Sequence, residues 1–191
     1  MLEEQTPMPT TERGRRHWDA VAAILAALIG FLALLVSGYT AFVQRQQVRA
    51  QVWPYLILTN YDTDRSLYVF NKGVGPAILH SARVRVDGKP QPDWEHVLDA
   101  LGVPKPRKHY ISTIHVVVLS PGDRTAIINF DDEAAYRAFR DAALERMKTE
   151  LCYCSTLGDC WLYGDTIFGN APNLQSVAEC PALPEGEAFR E

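Results

Sequence analysis

The residues of this chain best suited to chemistry are its four cysteines, Cys152, Cys154, Cys160 and Cys180. Alternation along an extended strand puts Cys152 and Cys154 on one side, about 7 Å apart at ~3.3 Å per residue. That is long for a bridge between them. Cys154 facing Cys160 across a hairpin, with Cys152 reaching Cys180, is geometrically easier. Four cysteines allow three pairings, and spacing alone does not choose among them. As thiolates, Cys152, Cys154 and Cys160 would suit a soft metal such as zinc or copper(I), with Cys180 or a histidine as fourth ligand. The spacing lacks paired C-x2-C units, and no C-x-x-C precedes a helix that would lower a thiol pKa. Structural disulfides are therefore expected and no cofactor is. Metal handling or thiol redox chemistry is the alternative use of the same cluster.

Other constellations are weaker. His80, His96, His109 and His115 show no H-x-x-x-H or H-E-x-x-H spacing and read as ordinary surface or part-buried side chains. Asp62-x-Asp64 sits in a polar turn without the further carboxylates of a calcium loop. Gly73-x-Gly75-Pro76 lacks the third glycine, the lysine and the helix of a phosphate cradle, and reads as a turn. There is no G-x-S-x-G elbow to supply a serine nucleophile. The expectation is a protein that is not an enzyme. A net charge of −4 argues against a nucleic-acid partner.

The elements that hold these residues begin with a run from 20 to 43 that carries no charged side chain. About 20 apolar residues at 1.5 Å rise suffice to cross a hydrocarbon core, so this run is expected to span a membrane. A surface helix would show a polar face, and residues 22–36 show none. The run is too long for a cleaved secretory signal, and Arg15-Arg16 only loosely matches a twin-arginine signal, so an uncleaved signal anchor is the better reading. Arg13, Arg15 and Arg16 precede the span while Arg45 and Arg49 follow it, which favours a cytoplasmic N-terminus. All four cysteines lie beyond the span, which fits an oxidising compartment there. Small residues at a spacing of four, Ala22, Ala26, Gly30 and, past Leu34, Gly38, would let two such helices pair as a homodimer.

Residues 1–19 are polar and proline-bearing, and read as a disordered cytoplasmic tail. Residues 44–52 extend the helix as a stalk that stops before Pro54. The period then changes from helical to two. Runs at 55–59, 66–70, 77–86, 110–119, 125–130, 151–155 and 160–163 read as strands. In 77–86, Ile78, Ala82, Val84 and Val86 are expected to share the buried face. Residues 92–102 read as a short helix capped near Asp93 and ended by Gly102, and a longer helix is expected from 132 to 148 with Asp131 as its cap. The basic loop 105–108 is either solvated charge or a contact with anionic headgroups. The stretch 169–191 reads as an acidic, loop-like C-terminal tail.

Val52-Trp53-Pro54-Tyr55-Leu56, Asn71-Lys72-Gly73-Val74-Gly75-Pro76-Ala77, Val86-Asp87-Gly88 and Cys152-Tyr153-Cys154-Ser155 with Cys160-Trp161 resemble a family of uncharacterised bacterial proteins with one N-terminal membrane helix. The resemblance runs from the span to about Tyr163 and implies architecture without chemistry. The expected fold is a transmembrane helix followed by a mainly-β domain over 53–168. That domain reads as an immunoglobulin-like β-sandwich with one or two inserted helices, with α+β as the alternative. The expected place is the bacterial inner membrane, with the C-terminal domain extracytoplasmic. The expected role is a membrane-anchored binding or assembly module whose partners are the lipid bilayer and an envelope protein.

Overall fold

The computed structural model describes residues 12–112, 114, 117–165, 173–184 and 186–190. The chain divides into two compact units, one ending at Val48 and the other running Arg49–Glu191. His115 and residues 1–11 of the expected N-terminal tail lie outside the described residues.

The first unit is helical. Helix α1 (Glu12–Gln51) starts inside the stretch expected to be tail, and its apolar section is exposed along its length. No glycine or proline stops it before Pro54, which lacks the N–H a helix needs. Among the described residues it is the one helix long and apolar enough to cross a membrane. The Thr40 hydroxyl turns back to donate to the Val36 carbonyl at 2.8 Å, so it is satisfied within the helix.

The second unit is mainly β, in two antiparallel sheets. Its strands are β1 (Leu56–Tyr61), β2 (Ser66–Asn71), β3 (Ala77–Val86), β4 (Lys89–Gln91), β5 (His109–Ile111), β6 (Val118–Leu119), β7 (Arg124–Phe130), β8 (Met147–Cys154), β9 (Cys160–Asp165) and β10 (Asn173–Val177). One sheet has the order β1-β2-β7-β5; the other runs β10-β9-β8-β3-β4, with β6 also on β3. Period-two alternation puts Leu56, Leu58, Leu67 and Val69 of the first sheet, and Val84, Leu151, Tyr153 and Tyr163 of the second, into one core. Helices α2 (Trp94–Leu101) and α3 (Glu133–Arg146) add Trp94, Leu98, Tyr136 and Phe139 to that core.

Helix α2 carries the caps read from sequence. The Asp93 carboxylate accepts from the His96 N–H, and Gly102 closes the helix at φ 77°, where a side chain would be strained. Several boundaries differ from expectation. Asp132, not Asp131, caps α3, and Met147 and Lys148 leave the helix to begin β8. The run 110–119 splits: β5 pairs with β7 in one sheet while β6 pairs with β3 in the other. In β3 a register shift between Leu79 and Ser81 turns Ala77 and Leu79 inward in place of Ile78.

The C-terminal stretch is built into the domain. β10 extends the second sheet, and Phe189 is buried edge-on against Trp94 at 5.1 Å between ring centres. The Phe189 N–H donates to the Ala82 carbonyl, on the part of β3 left open between β4 and β6.

The turn at 71–76 is a junction, not a ligand cradle. Asn71 is fully buried, and its amide donates to the carbonyls of Gly75 (2.8 Å) and Leu119 (2.9 Å). Its oxygen accepts from the N–H groups of Gly73 (3.0 Å) and Tyr55 (3.2 Å). A Cβ on Gly75 would collide with the backbone of Val52, and one on Gly73 with the backbone of Trp53–Tyr55. Both glycines are present because the chain leading into β1 lies directly on this turn.

Candidate functional site

Strand alternation in β8 sends Tyr153 into the core and Cys152 and Cys154 to the opposite, outer face of the second sheet. Cys154 stands across from Cys160 in the β8–β9 ladder, and the two are bridged with Cα atoms 4.0 Å apart. Cys152 is bridged to Cys180, with Cα atoms 5.7 Å apart. The bridges are neighbours: Cys154 Sγ lies 3.8 Å from Cys180 Sγ, and the sulfurs of Cys154, Cys160 and Cys180 all lie within 4.8 Å of one another. Cys152, Cys154 and Cys160 are buried, and Cys180 is part-buried. All four sulfurs are engaged, so thiolate chemistry here starts with the opening of a bridge.

The same outer face carries Arg83 and Arg85 from β3 beside Glu150 from β8. Arg85 Nη1 lies 2.7 Å from Glu150 Oε1, and Arg83 pairs with both Glu150 and Glu187. Burial works against the Arg83 charge, but the two carboxylates more than offset it and raise its pKa above the ordinary guanidinium value. With the Cys152–Cys180 bridge and Phe189, these pairs strap the C-terminal stretch across the sheet.

A second feature is the outer edge of β5. The Ser112 N–H donates to Ile127 O and the Asp131 N–H to Lys108 O, so by strict alternation His109 and Ile111 turn their own N–H groups away from β7. No strand pairs with that side among the described residues. Tyr110 and Ile111 are 65% and 44% exposed. Beside them a hollow of about 200 Å³ is lined by Asp93, Trp94, Glu95, His109 and Ile111. Two buried nitrogens of its lining residues, Trp94 Nε1 and His109 Nδ1, have no hydrogen-bond partner among the described residues. His109 Nε2 faces Glu95 at 3.3 Å. Burial opposes ionisation of Asp93, yet the His96 amide and ring hold its carboxyl below the usual carboxylate range.

The opposite edge of the same sheet is capped at two of its outward donors. The N–H groups of Leu56 and Leu58 in β1 donate to the hydroxyls of Tyr153 (3.4 Å) and Tyr163 (3.2 Å), which reach across from the other sheet. Burial pushes the Tyr153 phenol up to about 12, so it stays a neutral hydroxyl at physiological pH.

A further hollow of about 270 Å³ between Asp62 and α3 is saturated internally. Tyr136 donates to Asp62 at 2.7 Å and Arg140 pairs with it at 2.9 Å. The Asp62-x-Asp64 turn is thus committed to protein partners, Asp64 accepting from Tyr68. Two of the three basic side chains of the loop 105–108 are committed as well, Lys105 pairing with Asp99 at 3.0 Å. Arg107, with a side chain 3% exposed, is clamped by Glu95, Asp99 and the Val103 carbonyl.

The cysteines read from sequence thus come together on one face. Of the histidines, His96 pairs with its cap Asp93, His109 lines the hollow, and His80 is exposed. Ala22, Ala26, Gly30 and Gly38 lie exposed on α1, with open space where a Cβ of either glycine would sit. Sequence reasoning missed the open edge of β5, the tyrosine caps of β1 and the arginine–glutamate network. Alternating Arg83 and Arg85 was the one signal that could have pointed to the last. No family model, no curated protein and no solved structure matches the chain.

Proposed function

We propose that this chain is a single-pass membrane protein whose extracytoplasmic domain, without catalysis, captures an extended segment of another envelope protein along β5. The observation that carries the reading is the combination at β5: outward-facing backbone donors, exposed Tyr110 and Ile111, and the adjoining hollow. Strand addition uses these parts, with backbone pairing supplying affinity and a side-chain hollow supplying selectivity. The length and apolar character of α1 support the anchor. The two disulfides support an oxidising compartment for the domain and hence a cytoplasmic N-terminus. The immunoglobulin-like reading draws support from strand order, since β1-β2-β7-β5 facing β9-β8-β3-β4 follows the A-B-E-D and G-F-C-C′ order of such sandwiches.

The test is a photo-crosslinking side chain placed at Tyr110 of the full-length protein in intact cells. One discrete envelope-protein adduct is expected. It should disappear in Ile111→Pro, which removes an outward N–H and leaves the β5–β7 ladder intact. Absence of any adduct, or an adduct indifferent to Ile111→Pro, overturns the reading.

A further inference from the structure

The two disulfides are close enough to exchange. Here Cys180 Sγ, already bonded to Cys152, sits 3.8 Å from Cys154 Sγ and within 4.8 Å of Cys160 Sγ. That proximity follows from the fold: Cys152 and Cys154 are two apart on one strand face, and the C-terminal strap lays Cys180 over both. Cys180 is also the one residue of the four that is not fully buried, so an external thiolate reaches the cluster there first.

We infer that the paired bridges form a thiol–disulfide relay, in which an electron pair entering from a dithiol at Cys180 is passed to the buried Cys154–Cys160 bridge. The first thiolate of the dithiol attacks Cys180 Sγ, a mixed disulfide forms, and the Cys152–Cys180 bond breaks with Cys152 leaving as a thiolate that takes up a proton. The second thiol of the reductant attacks the mixed disulfide through its own sulfur, closes the reductant's disulfide and releases Cys180 as a thiolate. One dithiol has been oxidised and one bridge reduced. Cys180 then attacks Cys154 Sγ. A Cys154–Cys180 bond forms, the Cys154–Cys160 bond breaks, and Cys160 leaves with the electron pair and takes up a proton. This last step is an isomerisation and needs no further oxidant or reductant. Its outcome moves the anchor of the C-terminal strap from Cys152 to Cys154 and unlocks the β8–β9 hairpin. The relay stands on sulfur geometry alone and does not depend on what binds β5.

The experiment is limited reduction of the full-length protein in detergent micelles with dithiothreitol, followed by rapid alkylation of free thiols. Chymotrypsin then separates the four cysteines, because Tyr153 lies between Cys152 and Cys154, Leu157 between Cys154 and Cys160, and Trp161 and Tyr163 after Cys160. Mass mapping of the single-bridge fraction is expected to find Cys154–Cys180, with Cys152 and Cys160 alkylated, in at least about a tenth of molecules, the population set by a tenfold preference for the native bridges. A single-bridge fraction holding nothing but Cys152–Cys180 and Cys154–Cys160 overturns the relay. A rate gives a second reading. In a Cys152→Ala, Cys180→Ala variant, reduction of Cys154–Cys160 is expected to slow about tenfold or more, because the more accessible entry at Cys180 is gone. An unchanged or faster rate in that variant means that electrons reach Cys154–Cys160 directly, and the relay falls.

Discussion

Asn71 is the side chain on which the turn between β2 and β3 depends, and its substitution gives the sharpest test of the structure. An asparagine amide has two donors and a carbonyl with two acceptor positions, and here all four are used, on Gly75, Leu119, Gly73 and Tyr55. The residue is fully buried, so no water replaces a lost partner. At about 1 kcal/mol per neutral hydrogen bond, Asn71→Ala is expected to cost about 4 kcal/mol, more if the orphaned backbone groups stay dry. Asn71→Asp keeps the shape and the acceptor but points a carboxylate oxygen at two carbonyls. Its pKa is therefore raised in the folded state. Such a group destabilises most when ionised, so the variant should approach wild type below about pH 4 and fall away from it as pH rises toward neutrality. Urea unfolding of the full chain in micelles reads this. With a slope of about 2 kcal/mol per molar, the Ala variant's midpoint should drop by about 2 M at pH 7. A drop under about 0.5 M, or an Asp variant as stable as wild type at pH 7, refutes the four-bond arrangement.

Three further expectations use the same assay or a simple variant of it. Phe189→Ala should cost about 3 kcal/mol, the lower end of the range for a buried phenyl; a change below about 1 kcal/mol would mean that the C-terminal stretch is held by its disulfide alone. Gly75→Ala should cost about 2–3 kcal/mol or prevent folding, since its Cβ meets unyielding backbone, whereas Gly30→Ala on α1 meets nothing and should leave the domain's unfolding unchanged. Acid should weaken the domain: Tyr136 and Arg140 hold Asp62, Arg146 holds Asp87, and Arg107 holds Asp99 below the usual carboxylate range. Carboxyls depressed in this way contribute stability that is present above about pH 4 and lost as pH falls through their folded values. Asp62→Asn, Asp87→Asn and Asp99→Asn together should flatten that acid limb, and an unflattened limb would refute the assignment.

What could be read from the chain follows the physics of each element. The apolar run in α1 is legible because its length and composition are local properties of the sequence that need no distant partner to show. Helix α2 is legible because Asp93 and Gly102 are local devices, each acting within a turn. The cap of α3 was misread by one residue because Asp131 and Asp132 are equally able and tertiary packing of Tyr136 and Phe139 sets the register. The split between β5 and β6 was hidden, since both pieces of the run 110–119 are apolar and only pairing partners far away in sequence separate them. The strap was hidden for a similar reason. β10 is an exposed edge strand with no alternation to see, and Phe189 is one aromatic in a polar context whose pocket is made by Trp94. The cysteines were identifiable as a group, but their proximity depends on where the strap crosses.

The edges of the two sheets argue for a specific use of β5. Unpaired edge donors invite other chains, and stable domains cover or blunt them. Elsewhere this domain does so in part: tyrosine hydroxyls take the outward N–H groups of Leu56 and Leu58 in β1, Phe189 covers the gap along β3, and the open edge strand β10 exposes the polar Asn173, Gln175 and Ser176. β5 is left with outward N–H groups and an exposed isoleucine, protected by neither charge nor proline at positions 109–111. A chain that lacks its partner should then use the edge on itself. Sedimentation of the full-length protein in micelles should show association that rises with concentration, and Ile111→Lys should weaken it about tenfold or more, since losing a buried isoleucine costs about 1.5–3 kcal/mol. Pairing through α1, where it occurs, is common to both proteins and cancels in the comparison. Equal association in wild type and Ile111→Lys would mean that β5 is shielded in solution, and the strand-capture reading would lose the observation that carries it.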